Sequence, residues 1–198
     1  VTAAPYVAVL APEGLDALTL CDGKACYALA WAQLGDDYNA FLRLLFSDRV
    51  HKAGHNIKDL MRALLAEGLP TDGFVFDTAL AAYLLDATAG NYDLPRLAQA
   101  YLGGEAPDAQ TVWALQPVLL EKMDALGMLP LYTDIELPLC PVLARMEHTG
   151  FLVDRKALYD FGESLTSAIE QLQQSIWACA GEPFNIQSPK QLGHVLFD

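Results

Sequence analysis

The dipeptide Asp22-Gly23, set between the apolar stretches Leu15–Leu20 and Lys24–Trp31, constrains this chain more than any other feature. A two-residue turn of this kind accepts φ > 0 at little cost and matches the twist of the strands it joins, so it predicts a β-hairpin. Tyr6–Ala11, a short apolar run just before it, supplies a third strand, and three antiparallel strands follow. Cys21 and Cys26 flank the turn, and a two-residue turn places them near each other but one step out of direct opposition. Beyond the hairpin the signals alternate. A helix starts at Asp36 or Asp37 and runs through Phe46, Val50–Ala53 reads as a short inner strand, and Asn56–Glu67 reads as a helix ended by Gly68 and Pro70. Phe74–Phe76 is a further strand, and Asp77 caps the helix after it. The pattern is α/β with mixed strand directions.

After Asn91 the periodicity is helical: Leu94–Leu102, Ala109–Leu126 with a bend or break at Pro117, Tyr132–His148 ended by Gly150, and Asp154–Ala180. At the far end Ser188 is a good N-cap, Pro189 suits the first helical turn, and Lys190 and Gln191 follow at once. Such a start aims free backbone N–H groups and one cation at a single point, which suits an anion.

With 53% hydrophobic and 19% charged residues the chain is folded and well buried, not a disordered linker. Its net charge of −13 opposes tight, non-specific binding of nucleic acid, so any such contact is local. Cys21, Cys26, Cys140 and Cys179 form no C-x-x-C pair and read as reduced thiols, and no apolar run reaches the ~20 residues of a membrane span. A soluble, cytoplasmic protein with no membrane partner is expected. The cations Arg49, Lys52, Lys58 and Arg62 read as a solvated basic patch. His51 and His55, four residues apart in a strand-and-turn segment, read as structural rather than metal-binding.

Three segments in order, Phe76–Asp86 (FDTALAAYLLD), Glu136–Asp154 (ELPLCPVLARMEHTGFLVD) and Ala180–Phe197 (AGEPFNIQSPKQLGHVLF), resemble bacterial DNA polymerase I, family A. The resemblance implies an RNase H-like (DnaQ-type exonuclease) mixed sheet with flanking helices, followed by an α-helical thumb arm. It divides the chain into a vestigial 3′–5′ exonuclease-like domain over residues 1–130 and the N-terminal helices of the polymerase domain, the thumb base, over residues 131–198. The palm and fingers, with the Mg2+ expected for the polymerase reaction, would lie beyond Asp198. The resemblance also implies that Asn185, Gln187, Ser188, Lys190 and Gln191 match a thumb motif that contacts the DNA backbone, with Gln187 where Asn is usual. Primer–template DNA, bound weakly by these residues alone, and the palm and fingers are the implied partners.

Proofreading by this family uses two metal ions ~4 Å apart, held by converging carboxylates. The family's Asp-x-Glu at the end of the first strand falls on Leu10 and Pro12, and sliding the match to Glu13 recovers one carboxylate. Its Asn-Leu-Lys motif reads Asn56-Ile57-Lys58, with the family's Asp on Leu60 and Asp59 one residue early, about 100° around a helix. No late Tyr-and-Asp motif is found; Asp108 is the acid there, with Glu105 in place of the Tyr. The expectation is therefore no catalytic residue and no metal in this chain, Leu10, Pro12 and Leu60 being degenerate positions; Leu10 and Leu60 found lining one closed apolar cleft would mean a dead nuclease. Two other readings compete: an active two-metal exonuclease using the displaced acids Glu13, Asp59 and Asp108, and an acidic protein-interaction module unrelated to DNA.

Overall fold

A computed structural model describes residues 6–12, 14–104 and 108–197. Two compact units divide at Gly150/Phe151. The first is built on a five-stranded sheet: β1 (Tyr6–Leu10), β2 (Ala17–Cys21), β3 (Cys26–Ala30), β4 (His51–Gly54) and β5 (Phe74–Asp77), in the order β3-β2-β1-β4-β5. The first three strands are antiparallel, as the hairpin predicts, and β4 and β5 add in parallel to β1. Parallel neighbours need crossovers. Between β3 and β4 lie the short α1 (Trp31–Leu34) and α2 (Asp37–Leu45), and between β4 and β5 lies α3 (Ile57–Ala66). After β5 come α4 (Thr78–Leu85), α5 (Leu94–Leu102), α6 (Ala109–Ala125), α7 (Leu129–Leu131), a π-helical turn (Tyr132–Glu136) and α8 (Leu137–Thr149).

Alternation along β1 explains the layering. Ala8, with Tyr6 and Leu10 beside it, joins a core with Phe76, Ala81, Leu97, Leu115 and Met123, whereas Val9 joins a second core with Leu18, Tyr38, Leu42, Phe46 and Leu64. Successive side chains of a strand point to opposite faces, so α4, α5 and α6 cover one face and α2 and α3 the other. A third, smaller core seats Cys140 and Ala144 of α8 on Ile57 and Met61 of α3.

Three sequence expectations change. The hairpin turn spans Asp22–Ala25, held by Asp22 Oδ1 accepting from the N–H groups of Lys24 and Ala25 at 2.8 Å each, so Cys21 and Cys26 stand in direct register. Pro117 does not interrupt α6, because Leu115, Gln116, Leu119 and Met123 around it are buried and packing outweighs one lost hydrogen bond. The basic patch does not form: Lys52 is fully buried, its Nζ donating to the carbonyls of Ser47 (3.0 Å) and Val50 (2.6 Å) between the rings of Phe46 and Phe74. Burial pulls its pKa down to about 8. The first compact unit runs to Gly150, with Tyr132, Cys140 and Ala144 buried in its cores.

The second unit consists of α9 (Arg155–Ala180) and α10 (Pro189–Phe197). Asp154 caps α9 by accepting from Ala157 N, and Gly181 ends it in the left-handed conformation. No residue of α9 is buried, and Leu158, Leu165, Ile169, Leu172 and Ile176 form an exposed apolar stripe. Among the described residues no single helix is long and apolar enough to cross a membrane.

Candidate functional site

Each position at which the resemblance expects a nuclease carboxylate can be located. Leu10 ends β1 and packs on the core beneath α6, Pro12 is exposed just after it, and Leu60 on α3 packs on the opposite core. Leu10 and Leu60 thus pack on different cores, on opposite faces of the sheet. Asp59 is exposed and lies 3.9 Å from Arg62. Asp108 is the N-cap of α6, its Oδ1 accepting from Thr111 N at 3.0 Å. The start of α6 lies near the hairpin turn, since Gln110 Oε1 is 3.8 Å from Cys26 Sγ and Trp113 stacks on Tyr6 at 4.3 Å. That is the entry end of β1, whereas Asp59 follows the exit end of the parallel strand β4. Asp59 and Asp108 therefore sit at opposite ends of the sheet and do not converge. Glu13 and Glu105 lie outside the described residues. Among the described residues no three His, Cys, Asp or Glu side chains gather in a group able to hold a metal ion.

What occupies the exit ends of β4 and β5 is a carboxylate with another task. Asp77, fully buried, accepts from the N–H groups of Asn56 (3.1 Å), Ile57 (2.8 Å), Ala79 (2.8 Å) and Leu80 (3.3 Å). One side chain thus satisfies the otherwise unpaired N-terminal donors of both α3 and α4. Burial pushes its carboxyl above the ordinary value, and the four N–H bonds pull the other way. Asn56 holds φ 52°, a left-handed value that Asn tolerates, and this turns its N–H toward Asp77. Tyr132 completes the arrangement: its Oη accepts from Asp77 N at 2.7 Å and donates to Asp77 O at 3.3 Å. His55 Nδ1 lies 2.8 Å from Thr78 Oγ1 beside it, and burial lowers the His55 pKa to about 4. The sequence marks Asp77 as a cap for α4; its second helix and Tyr132, 55 residues away, leave no local signal.

The second candidate surface is the start of α10. Ser188 Oγ accepts from Gln191 N at 3.4 Å, as its N-cap role predicts, and Gln191 Oε1 accepts from Asn185 N at 2.8 Å. Asn185 Oδ1 accepts from Gln187 N at 3.0 Å. These five positions are brought together, but three of their side chains are engaged with backbone. Lys190 is exposed at the first turn, and Trp177 Nε1 fixes the incoming loop by donating to Phe184 O at 2.8 Å.

Comparison with known proteins agrees with this architecture. Residues 15–113 match the family described as DNA polymerase I, ribonuclease H-like domain. The DNA polymerase I of Geobacillus stearothermophilus is 36% identical over 184 residues, covering 80% of this chain and 21% of the relative. That of Pseudomonas aeruginosa is 33% identical over 218 residues, covering 89% of this chain and 24% of the relative. The chain thus spans about a fifth to a quarter of the length of these relatives. Among solved structures, the POL domain of Pol1 from M. smegmatis in complex with DNA primer-template and dNTP superposes with a TM-score of 0.81 at 29% identity, over 98% of this chain and 36% of that one. A mixed sheet of this order, covered by helices on both faces and followed by a helical region, is the ribonuclease H-like fold, and the chain belongs to the bacterial family A DNA polymerase I family.

Proposed function

We propose that the ribonuclease H-like unit is a proofreading domain kept for structural work, its 3′–5′ nuclease chemistry lost, and that the start of α10 touches the backbone of primer–template DNA. What supports this reading is chemical: the resemblance sets Leu10, Pro12 and Leu60 at the family's metal-carboxylate positions, and no hydrocarbon side chain can replace an oxygen ligand. The donor set does not fit a pair of divalent ions, so no hydrolytic step is assigned to these residues. The rigid pairing of Asp77 with two helix starts supports a bracing role. In this reading the palm and fingers of the family, with their Mg2+, are the partners braced, and the setting is cytoplasmic replication or repair.

The test is direct. Purified chain is incubated with a 3′-labelled single strand in Mg2+ or Mn2+, and no nucleotide release above background is expected. Metal-dependent release that disappears in Asp59→Ala and Asp108→Ala variants would overturn the proposal in favour of a displaced-carboxylate nuclease.

A further inference from the structure

The hairpin carries a pair of thiols that the nuclease-like fold does not use. Cys21 and Cys26 are direct partners across the β2–β3 ladder. Their place in the ladder follows from its two ends: Trp31 N donates to Asp16 O (2.9 Å), and Asp22 N donates to Ala25 O (3.2 Å). Hydrogen-bonded and non-hydrogen-bonded pairs alternate along an antiparallel ladder, so with 16/31 and 22/25 bonded, 21/26 is a non-hydrogen-bonded pair. Such a pair brings Cα atoms to about 4.5 Å, inside the range a disulfide spans. The two cysteines differ in access: Cys26 is exposed and Cys21 is 3% exposed, and both are free thiols.

We propose that Cys21 and Cys26 form a thiol–disulfide modification site that closes to a cross-strand disulfide on reaction with a low-molecular-weight disulfide. The Cys26 thiolate attacks one sulfur of the reagent, forming a mixed disulfide and releasing one thiolate. Cys21, deprotonated in turn, attacks Cys26 Sγ and expels the second thiolate. The two protons lost by the cysteines end on the two released thiols, and two electrons pass to the reagent. The accessible residue is the entry point and the buried one resolves it. The hydrogen bond with Cys21, helped by burial, pushes the Cys26 thiol up to about 11, which keeps the pair slow near neutral pH. The bond would close over the Gly23 turn, where a Cβ would lie 2.3 Å from the Trp113 ring, so the turn packs closely on α6.

The test treats the whole chain with oxidised glutathione, blocks remaining thiols with an alkylating agent under denaturing conditions, and digests with trypsin. Cleavage after Lys24 falls between the two cysteines, so the proposed bond joins residues 1–24 to residues 25–43 until a reductant is added. That linked pair is expected, with a rate rising about tenfold per pH unit between pH 7 and 9. In Cys21→Ser the Cys26–glutathione adduct is expected to accumulate instead, with no linked pair. A wild-type chain that accumulates the same stable adduct, or that links Cys26 to Cys140 or Cys179, overturns the proposal.

Discussion

Single residues set the stability of this unit more than its charge does, and Asp77 is the sharpest case. Asp77→Ala leaves four N–H groups of two helices without this acceptor, two of them buried and two half-buried, so a loss on the order of 3 kcal/mol is expected in urea unfolding. Asp77→Asn, which keeps one acceptor oxygen, should lose about half as much. Thr19 offers the opposite sign. Its Oγ1 is buried with no hydrogen-bond partner, in register with Leu10, so Thr19→Val should raise stability by about 1 kcal/mol, read as a higher urea midpoint at unchanged slope. His55 supplies a pH dependence. Its folded pKa of about 4 lies below the ordinary 6.5, so the unfolded chain binds its proton first and stability falls as pH drops from about 6.5 to about 4. The loss is up to ~3 kcal/mol; titrating wild type against His55→Asn, whose profile should be flatter across that window, checks it.

At the scale of elements, burial outranks ion pairing in fixing α8 to α3. Lys58 and Arg62 reach Glu147 at 2.5 and 3.9 Å, but these side chains are 36% to 56% exposed and pairs of this kind contribute under ~1 kcal/mol. Ala144 is fully buried against Ile57 and Met61, where added methylenes cost about 1–3 kcal/mol. Ala144→Leu should therefore lower stability more than Glu147→Gln, as chemical denaturation of both variants can show. The elements themselves were largely legible in sequence, for reasons visible in particular residues. Asp22-Gly23, Gly68 and Asp77 fix ends locally, and β1 alternates cleanly. The misreadings share one cause, a decision made by distant partners. Pro117 stays helical because the core beneath α6 holds its neighbours, the helix from Tyr132 opens with a π turn where Tyr132 reaches Asp77, and Lys52 is buried by Phe46 and Phe74. The hairpin register missed by one step because Asp22 caps a longer turn through its side chain. For the site, sequence named Leu10, Pro12 and Leu60 but not their places in space: nothing local announces that Leu10 and Leu60 pack on different cores.

For the whole molecule, charge decides how DNA could be held. A chain of net charge −13 repels a duplex as a body, so a favourable contact must come from few groups at short range. At the start of α10, Asn185, Ser188 and Gln191 already serve the backbone, which leaves Lys190 as the exposed cation of the motif. One phosphate neutralised gives a log–log salt slope of about −0.9, a three- to fourfold loss of affinity between 50 and 200 mM salt, far below the loss for a protein with many phosphate contacts. Salt also relieves the general repulsion, which makes the measured slope shallower still, but that effect is nearly common to wild type and a single-charge variant. The difference between the two is therefore the informative quantity. Fluorescence anisotropy with a primer–template duplex should show weak binding by the wild-type chain, and Lys190→Ala should shift the slope toward zero or beyond by about 1. Gln187→Ala, which removes no charge, should leave the slope unchanged. Equal slopes for wild type and Lys190→Ala would place any DNA contact elsewhere on the chain.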